Sequence, residues 1–285
     1  GRIVDYLISK GMPAYKFTLH PVHTVRKAII PVAGFGTRLY PATTCMKKDF
    51  FPIPCPDGMV RPVILILLEE LIQSGIAEIC LVLGSEEERQ LYSDYFERPL
   101  SDEHLSKLNA EAKELESRNL NIGKHLHYVY QREKRGFGHA VYQAAQFAGN
   151  EPVLLLLGDT LYRSDSNKHC ALQMVEEYER YNSLMVSIHT VPLAEVSHYG
   201  ILSGVWEDKE HTILNVAVMK EKPKASYAEE FLGVRNKEGV KEFYSVFGQY
   251  ILTPEVFAQL HEDIMQKEIE GDHVTEIELT SALEA

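Results

Sequence analysis

The sequence has few cysteines, no long apolar run and no excess of positive charge. Its four cysteines, Cys45, Cys55, Cys80 and Cys170, form no Cys-x-x-Cys pair, which predicts reduced thiols in a cytoplasmic protein rather than a disulfide framework or a zinc site. No apolar run approaches the length of a membrane span. The net charge of −12 argues against a general nucleic-acid-binding surface. We therefore expect neither nucleic acid nor a membrane as a partner.

The chain also lacks the features that separate domains. None of its 285 residues belongs to a Gly/Ser-rich linker, a low-complexity tract or an internal repeat. The apolar share of 45% is ordinary for a globular protein with a full core. We therefore expect one continuous domain over residues 27–285, preceded by an accessory segment at residues 1–26.

From residue 27 onward, short apolar runs alternate with longer amphipathic stretches. The predicted strands are 28–32, 78–83, 125–130 and 153–157, and the predicted helices are 63–74, 86–96, 105–118 and 138–148. Such alternation predicts an α/β fold with a doubly wound, mostly parallel sheet. Further predicted strands at 184–191, 199–205, 213–219 and 243–252, with helices at 254–262 and 274–284, indicate a mixed extension of that sheet.

A glycine-rich, basic loop follows the first predicted strand. Gly34 and Gly36 leave room for close approach of the backbone to a ligand, and their N–H groups can form a concave anion site. Arg38, Lys47 and Lys48 bring positive charge to the same loop. A phosphate group is the ligand that suits this combination, and residues 33–48 are therefore named the phosphate loop.

Two common phosphate loops do not match this stretch. A dinucleotide-binding fingerprint needs a third glycine where the chain has Leu39. A P-loop would close on Gly-Lys-Ser/Thr, which does not occur. A tight turn without a ligand is the simpler alternative for a lone Gly-x-Gly, but the longer pattern Gly-x-Gly-Thr-Arg-x-x-Pro-x-Thr is far more specific.

Three more segments place polar residues at strand ends. Asp159 directly follows an apolar strand, where its carboxylate could bind Mg²⁺ or could serve as an ordinary turn or N-cap residue. Gln131 opens a second glycine loop, at residues 131–140, and its side chain offers an amide donor and acceptor suited to a base edge. Glu221 can accept sugar hydroxyls and Lys222 can hold a phosphate, although Glu-Lys-Pro alone is commonplace.

The order of these motifs along the chain resembles that in the sugar-1-phosphate nucleotidyltransferase family, and within it that in the bacterial-type UTP–glucose-1-phosphate uridylyltransferases. The resemblance begins at about Lys27 and continues to the end of the chain. It rests on the phosphate loop and on segments that follow in family order: 136–140, Gly158 with Asp159, Tyr199 with Gly200, 221–223, 248–250 and 276–280. It implies a sheet of the nucleotide-diphospho-sugar transferase type.

The resemblance also implies a role for each matching residue. Ala33, Gly34, Gln131 and Gly136 would hold uracil, with Gly36 and Thr37 completing the nucleotide-binding set, and Arg38 and Lys48 would bind the triphosphate. Asp159 would ligate Mg²⁺, the one cofactor expected. Gly200 and Glu221 would hold glucose, and Lys222 its phosphate. Glu276 matches the acidic residue of the family's late Glu-Ile-x-Leu-Thr motif.

Some positions depart from the family pattern. Thr44 stands where lysine is frequent in the family, and Lys47 where proline is usual. Gly158 replaces a frequent proline, and thymidylyl relatives share this glycine. The segment at residues 231–242 is longer than is usual in the family. The family's second metal-binding aspartate lies in an Asp-x-Gly motif downstream of position 280, and the sequence ends at Ala285. We therefore expect the domain to be truncated at its C-terminus.

The activity implied is formation of UDP-glucose and pyrophosphate from UTP and glucose 1-phosphate, by an enzyme expected to be a homo-oligomer. One alternative is a thymidylyl- or cytidylyltransferase acting on another hexose 1-phosphate. The other is a catalytically silent regulatory domain that binds a nucleotide sugar.

Overall fold

The computed structural model describes residues 23–34 and 36–284. The predicted accessory segment therefore lies mostly outside the described residues, and its role stays a prediction. All four cysteines are free thiols. Among the described residues, no helix combines the length and the apolar character that crossing a membrane requires.

The described chain forms one large sheet and one small hairpin. The strands are β1 (Lys27–Pro31), β2 (Pro52–Pro54), β3 (Val60–Pro62), β4 (Glu78–Leu83), β5 (Leu126–Tyr130), β6 (Val153–Leu156), β7 (Met185–Val191), β8 (Gly200–Trp206), β9 (Leu214–Glu221), β10 (Val234–Arg235) and β11 (Lys241–Leu252). In the described residues the large sheet has nine strands, in the order β5-β4-β1-β6-β11-β8-β9, with β7 and β10 also paired to β11. Strands β2 and β3 form the hairpin.

The strands are parallel in one half of the sheet and antiparallel in the other half. Strands β5, β4, β1 and β6 are parallel, whereas β11 runs antiparallel to β6, β7 and β8. The expected α/β fold with a mixed sheet is therefore confirmed, although antiparallel pairings outnumber parallel ones in the described part of the sheet. Loops that leave β1, β5 and β6 emerge at one edge, because parallel strands share the direction of their carboxyl ends.

The helices cover both faces of the sheet. They are Val63–Gln73, Glu86–Phe96, Asp102–Ser106, Ala110–Gly123, Phe137–Tyr142, Ala145–Ala148, Cys170–Tyr181, Ala225–Tyr227, Pro254–Ile269 and Leu279–Glu284, with a π-helix at Ala228–Leu232 and 3₁₀ turns at Thr37–Leu39, Ala42–Thr44, Lys48–Phe50 and Leu193–His198. Alternate strand residues point to opposite faces: Ile30 and Leu154 join one core cluster, while Ile29 and Leu155 join the other.

Several predicted helices differ from the observed ones. The predicted helix 105–118 is two helices, because Asn109 accepts a hydrogen bond from the Ala112 N–H at 2.8 Å and starts a new helix. The predicted helix 138–148 is likewise two short helices, and the helix beginning at Pro254 continues to Ile269. The amphipathic helix Cys170–Tyr181 had no counterpart in the sequence prediction.

The predicted helix 274–284 begins only at Leu279. The Asp272 carboxylate accepts hydrogen bonds from the N–H groups of Val274 and Thr275 and holds a turn there. Beyond it, the Ile277 N–H donates to the Arg135 carbonyl at 2.8 Å, and the Gly138 N–H donates to the Ile277 carbonyl at 2.9 Å. These bonds tie residues 276–278 to the second glycine loop as extended chain.

Candidate active site

The loops with the predicted site residues leave neighbouring strands at the same edge of the sheet. The Val32 N–H donates to the Val82 carbonyl at 2.9 Å, which extends the β1–β4 pairing to the start of the phosphate loop. The Gln131 N–H donates to the Leu83 carbonyl at 2.8 Å, which does the same for the second glycine loop. Asp159 follows β6, on the other side of β1.

The phosphate loop meets the metal candidate directly. Lys48 begins the 3₁₀ turn Lys48–Phe50, and its Nζ lies 2.7 Å from Oδ2 of Asp159. A Cβ added at Gly34 would lie 3.4 Å from the same Nζ. Gly34, Lys48 and Asp159, separated along the chain, therefore converge on one point, where an ammonium and a carboxylate face a short stretch of bare backbone.

Gly36 is required by the packing within the loop. Its φ of 67° is in the left-handed region, and a Cβ there would come within 2.8 Å of Cγ2 of Thr43. The Thr43 hydroxyl donates to the Gly36 carbonyl at 3.1 Å and closes the turn. Thr37 is exposed at the surface of this loop. The side chain of Arg38, like Phe35, lies outside the described residues.

Gln131 is buried, and its amide nitrogen faces two neighbouring groups. Its Nε2 donates to the Gly136 carbonyl at 3.0 Å and lies 3.3 Å from Nδ1 of His139. Burial, and then the charge of Arg135, lower the pKa of His139, which favours a neutral ring whose Nδ1 can accept that hydrogen bond. Among the described residues, no donor reaches Oε1 of Gln131. This side chain can thus offer a ligand an acceptor, where the sequence suggested both donor and acceptor.

Gly136 supports this arrangement through its conformation. Its φ is 92°, and a Cβ would come within 2.7 Å of the Ile277 carbonyl oxygen and 2.9 Å of the Glu276 Cβ. A larger residue would push the C-terminal segment away from the loop. Glu276, whose role the sequence left open, is exposed and contributes its position beside Gly136.

The predicted sugar residues lie together on the antiparallel part of the sheet. Gly200 and Glu221 are register partners of β8 and β9, and a Cβ at Gly200 would lie 2.8 Å from Oε2 of Glu221. Lys222 has a φ of 43°, its N–H donates to the Tyr199 carbonyl at 3.0 Å, and its Nζ is 3.6 Å from Oε1 of Glu221. Both charged side chains are exposed and accessible to a ligand.

Strand β11 separates the two halves of the site. Burial, and then the charge of Glu221, raise the pKa of Tyr250 on β11 to about 12. Burial is also the main reason that the pKa of Tyr162 is raised, and Asp159 contributes to the same shift. Within the described chain, no ion pair joins Glu221 or Lys222 to Lys48 or Asp159. The structure therefore brings each half together, while no ion pair among the described residues joins one half to the other.

The donor set at Asp159 suits a metal that shares its coordination with substrate. Within residues 23–34 and 36–284, no group of three or more histidine, cysteine, aspartate or glutamate side chains could hold a metal ion. Mg²⁺ usually keeps several waters and binds through one or two carboxylates plus substrate phosphates. The carboxylate of Asp159 beside the phosphate loop fits that pattern, whereas a closed structural metal site does not fit.

Sequence reasoning missed the roles of three groups at the base of the phosphate loop, although it counted Lys47 among the positive charges of that loop. Lys47 and Lys134 donate hydrogen bonds to the carbonyls that begin this loop, and Glu88 binds Lys47. Lys134 stands in the second glycine loop, so its basic character beside that motif was visible. Nothing in the helix that carries Glu88 indicated a role, since three consecutive glutamates at a helix start are usual.

The chain is similar to known proteins over most of its length. The family model for nucleotidyl transferases matches residues 27–284. The chain is 33% identical over 262 residues to UTP–glucose-1-phosphate uridylyltransferase of Streptococcus pneumoniae serotype 4, an alignment that covers 91% of this chain and 79% of that protein. A Staphylococcus epidermidis protein of the same name is 33% identical over 261 residues, with 91% and 81% covered.

Solved structures give the same result. A UDP-glucose pyrophosphorylase complexed with UDP-glucose matches with a TM-score of 0.68 and 28% identity, over 91% of this chain and 85% of that one. A UTP-bound UGPase from Acinetobacter baumannii matches with a TM-score of 0.69 and 26% identity, over 91% and 81%. Together with the phosphate loop and the strand order, these matches place the chain in the nucleotidyl transferase family.

Proposed function

We propose that this chain is a uridylyltransferase that forms UDP-glucose and pyrophosphate from UTP and glucose 1-phosphate. The observation that carries the proposal is the contact of Lys48 with Asp159 beside Gly34. A phosphate-binding lysine, a carboxylate and bare backbone meet there at the carboxyl edge of a parallel sheet, in a chain whose relatives are named for this reaction. A phosphate oxygen of the sugar phosphate would attack the α-phosphorus of UTP in line, and pyrophosphate would leave.

The nucleotide half of the site would hold UTP by its base and its phosphates. Oε1 of Gln131 would accept a hydrogen bond from the N3–H of uracil, because the amide nitrogen already faces the Gly136 carbonyl and the His139 ring. The backbone of Ala33, Gly34 and Gly136 would meet the remaining base edge. Gly36, Thr37, Arg38 and Lys48 would bind the phosphates, and Lys48 would exchange its bond with Asp159 for a phosphate oxygen as it does so.

The sugar half of the site would orient the nucleophile. Glu221 would accept hydroxyl hydrogens of glucose beside the bare backbone of Gly200, and Lys222 would hold the phosphate. The new bond joins a sugar-phosphate oxygen to the α-phosphorus, and the bond to the departing pyrophosphate breaks. The attacking oxygen is already ionised and pyrophosphate leaves as an anion, so no protein nucleophile, base or acid is required. The residues act by position and charge.

We also propose Mg²⁺ as the cofactor, with Asp159 as its protein ligand. When bound, Mg²⁺ supplies charge that offsets the phosphate oxygens. A cytoplasmic location and a homo-oligomeric state stay predictions.

A thymidylyltransferase is the second candidate, because Gly158 is shared with thymidylyl relatives. A Cβ at this glycine would come within 2.6 Å of Cγ1 of Val32, so the backbone here approaches the phosphate loop closely. A silent regulatory domain is disfavoured, since Lys48, Asp159, Glu221 and Lys222 are all present and accessible.

Turnover with each of four nucleoside triphosphates and several sugar 1-phosphates tests the proposal. We expect pyrophosphate release with UTP and glucose 1-phosphate as the best pair. A clear preference for dTTP would favour the second candidate. Nucleotide binding without any turnover would favour the regulatory domain.

A further inference from the structure

Two lysines bind the backbone carbonyls with which the phosphate loop begins. Nζ of Lys47 lies 3.3 Å from the Val32 carbonyl oxygen, and Nζ of Lys134 lies 2.7 Å from that of Ala33. Lys47 belongs to the far end of the phosphate loop, and Lys134 belongs to the second glycine loop. Each of the two loops that would meet the nucleotide therefore supplies a lysine to one of two consecutive peptide groups.

Glu88 supplies the negative charge for this pair of ammonium groups. Its Oε2 lies 2.6 Å from Nζ of Lys47 and accepts a hydrogen bond from the Gly84 N–H at 3.0 Å. Gly84 lies beside both Lys134 and Glu88: a Cβ there would lie 2.6 Å from Nζ of Lys134 and 2.7 Å from Oε1 of Glu88. Burial lowers the pKa of Lys134, and the charge of Glu88 acts in the opposite direction.

The group is anchored to the core through the helix that carries Glu88. Nζ of Lys47 also lies 5.4 Å from the ring centroid of Tyr92, one turn further along that helix. Tyr92 is fully buried, and its hydroxyl donates to the buried carboxylate of Asp49, which adjoins Lys48. The position of the helix is thus coupled to both ends of the phosphate loop.

Lys47 stands where the family pattern usually has proline. Its φ is −62°, close to the value at which a proline ring fixes the backbone. The backbone conformation is therefore compatible with either residue. Lysine gives up the rigidity of proline, and here its side chain restrains the loop through Val32 and Glu88 instead.

We propose that Lys47, Lys134 and Glu88 act together as a positioning unit that holds the Val32–Ala33 carbonyls, and thereby the Ala33 and Gly34 backbone, in the geometry that binds the nucleotide. This inference rests on the proposed function for its kinetic test but has a structural test of its own. None of the three residues would touch UTP. Their effect on the nucleotide would pass through the loop.

The test uses Glu88→Gln, Lys134→Met and Lys47→Met, each in the full chain. We expect KM for UTP to rise about tenfold in each, the effect of losing one charge-assisted hydrogen bond, while KM for glucose 1-phosphate stays within about twofold. Hydrogen exchange of peptides within residues 27–36 should become faster. The matched control is Glu86→Gln, which removes an exposed pair with Arg132 from the same helix start and should change neither quantity.

Three outcomes would overturn the proposal. Tighter UTP binding in Glu88→Gln would mean that the released Lys47 binds phosphate itself. An equal rise of both KM values would indicate general loosening of the fold. Exchange no faster than in the Glu86→Gln control would show that the loop is not held by these residues. If the unaltered chain turns over no substrate, the proposed function fails, and the exchange comparison still decides the positioning role.

Discussion

Nζ of Lys48 lies 2.7 Å from Oδ2 of Asp159, although 111 residues separate them in the chain. The two side chains are partly exposed, so the pair can open without unfolding. In the free protein each charge neutralises the other. A triphosphate with Mg²⁺ offers each of them a stronger partner, so the pair marks the place where nucleotide and metal would enter.

Asp159→Asn should lower turnover by about a hundredfold, because it removes a carboxylate from the proposed metal site while keeping its size. Binding of UTP without Mg²⁺ should be unchanged or tighter, since Lys48 no longer has to leave a carboxylate. Steady-state kinetics and calorimetry check the two parts. Asp165→Asn, at an exposed position further along the same loop, is the control and should behave like the unaltered chain. Full activity in Asp159→Asn would refute the metal assignment.

Replacing Lys48 and replacing Lys222 should each weaken the binding of a different substrate. Lys48→Ala should weaken UTP binding about tenfold or more, because a charge-assisted bond to phosphate is lost. Lys222→Ala should spare UTP and raise KM for glucose 1-phosphate to a similar extent. Lys220→Ala removes a neighbouring exposed lysine from β9 and serves as the control. Calorimetry with UTP, and KM values for both substrates, would expose a reversed pattern.

Base choice should depend on the free acceptor of Gln131. Gln131→Met should raise KM for UTP about tenfold, because uracil N3–H would be buried without a partner. UTP should be used best, dTTP second, and ATP or GTP poorly, since thymine presents the same edge as uracil plus a methyl group. Gln143→Met alters the other side of His139 and should leave the order unchanged. A preference for a purine nucleotide would contradict this view of the pocket.

Gly200→Ala should impair the sugar half of the site alone. The new Cβ would lie 2.8 Å from Oε2 of Glu221 and would displace that carboxylate. KM for glucose 1-phosphate should rise about tenfold, the cost of one charged hydrogen bond, while KM for UTP is unchanged. Gly271→Ala is the control: no atom lies within 4 Å of the new Cβ, and its positive φ makes alanine strained there, so this variant shows whether backbone strain alone alters the KM for glucose 1-phosphate. An unchanged KM for glucose 1-phosphate in Gly200→Ala would show that Glu221 does not bind the sugar.

The buried carboxyl of Glu70 should make stability depend on pH. Burial raises its pKa above the ordinary 4.5, although a hydrogen bond from the Ala171 N–H opposes the shift. Its stabilising contribution is therefore complete below pH 4.5 and is lost as pH rises through the higher pKa of the folded state.

Glu70→Gln should thus raise the free energy of unfolding at neutral pH and have a smaller effect in acid, as denaturant titrations at several pH values would show. Glu69→Gln breaks ion pairs with Arg61 and Arg118 and should instead lower stability. If the difference in free energy of unfolding between Glu70→Gln and the unaltered chain did not vary with pH, the assignment would be contradicted.

The sequence by itself determined the strand cores and the loops at their ends. Buried strands such as β4 and β6 are continuous apolar runs, and the glycine-rich loops that follow them carry their own backbone requirements. Such signals lie within a few residues of one another, so they can be recognised without the fold. Helix ends were harder to predict, because Asn109 starts a helix through one side-chain hydrogen bond and Asp272 delays another helix through two.

Only the tertiary structure decided which polar groups meet and which remain available. Strand order brings Lys48 to Asp159, and the β8–β9 register brings Gly200 to Glu221. The groups that face the amide nitrogen of Gln131 leave its Oε1 as the atom that a ligand can use. Glu88 lies beside two lysines that belong to different loops. Each of these relationships depends on a distance between segments remote in the chain. Local sequence preferences carry no information about such distances, because they arise only when the sheet is assembled.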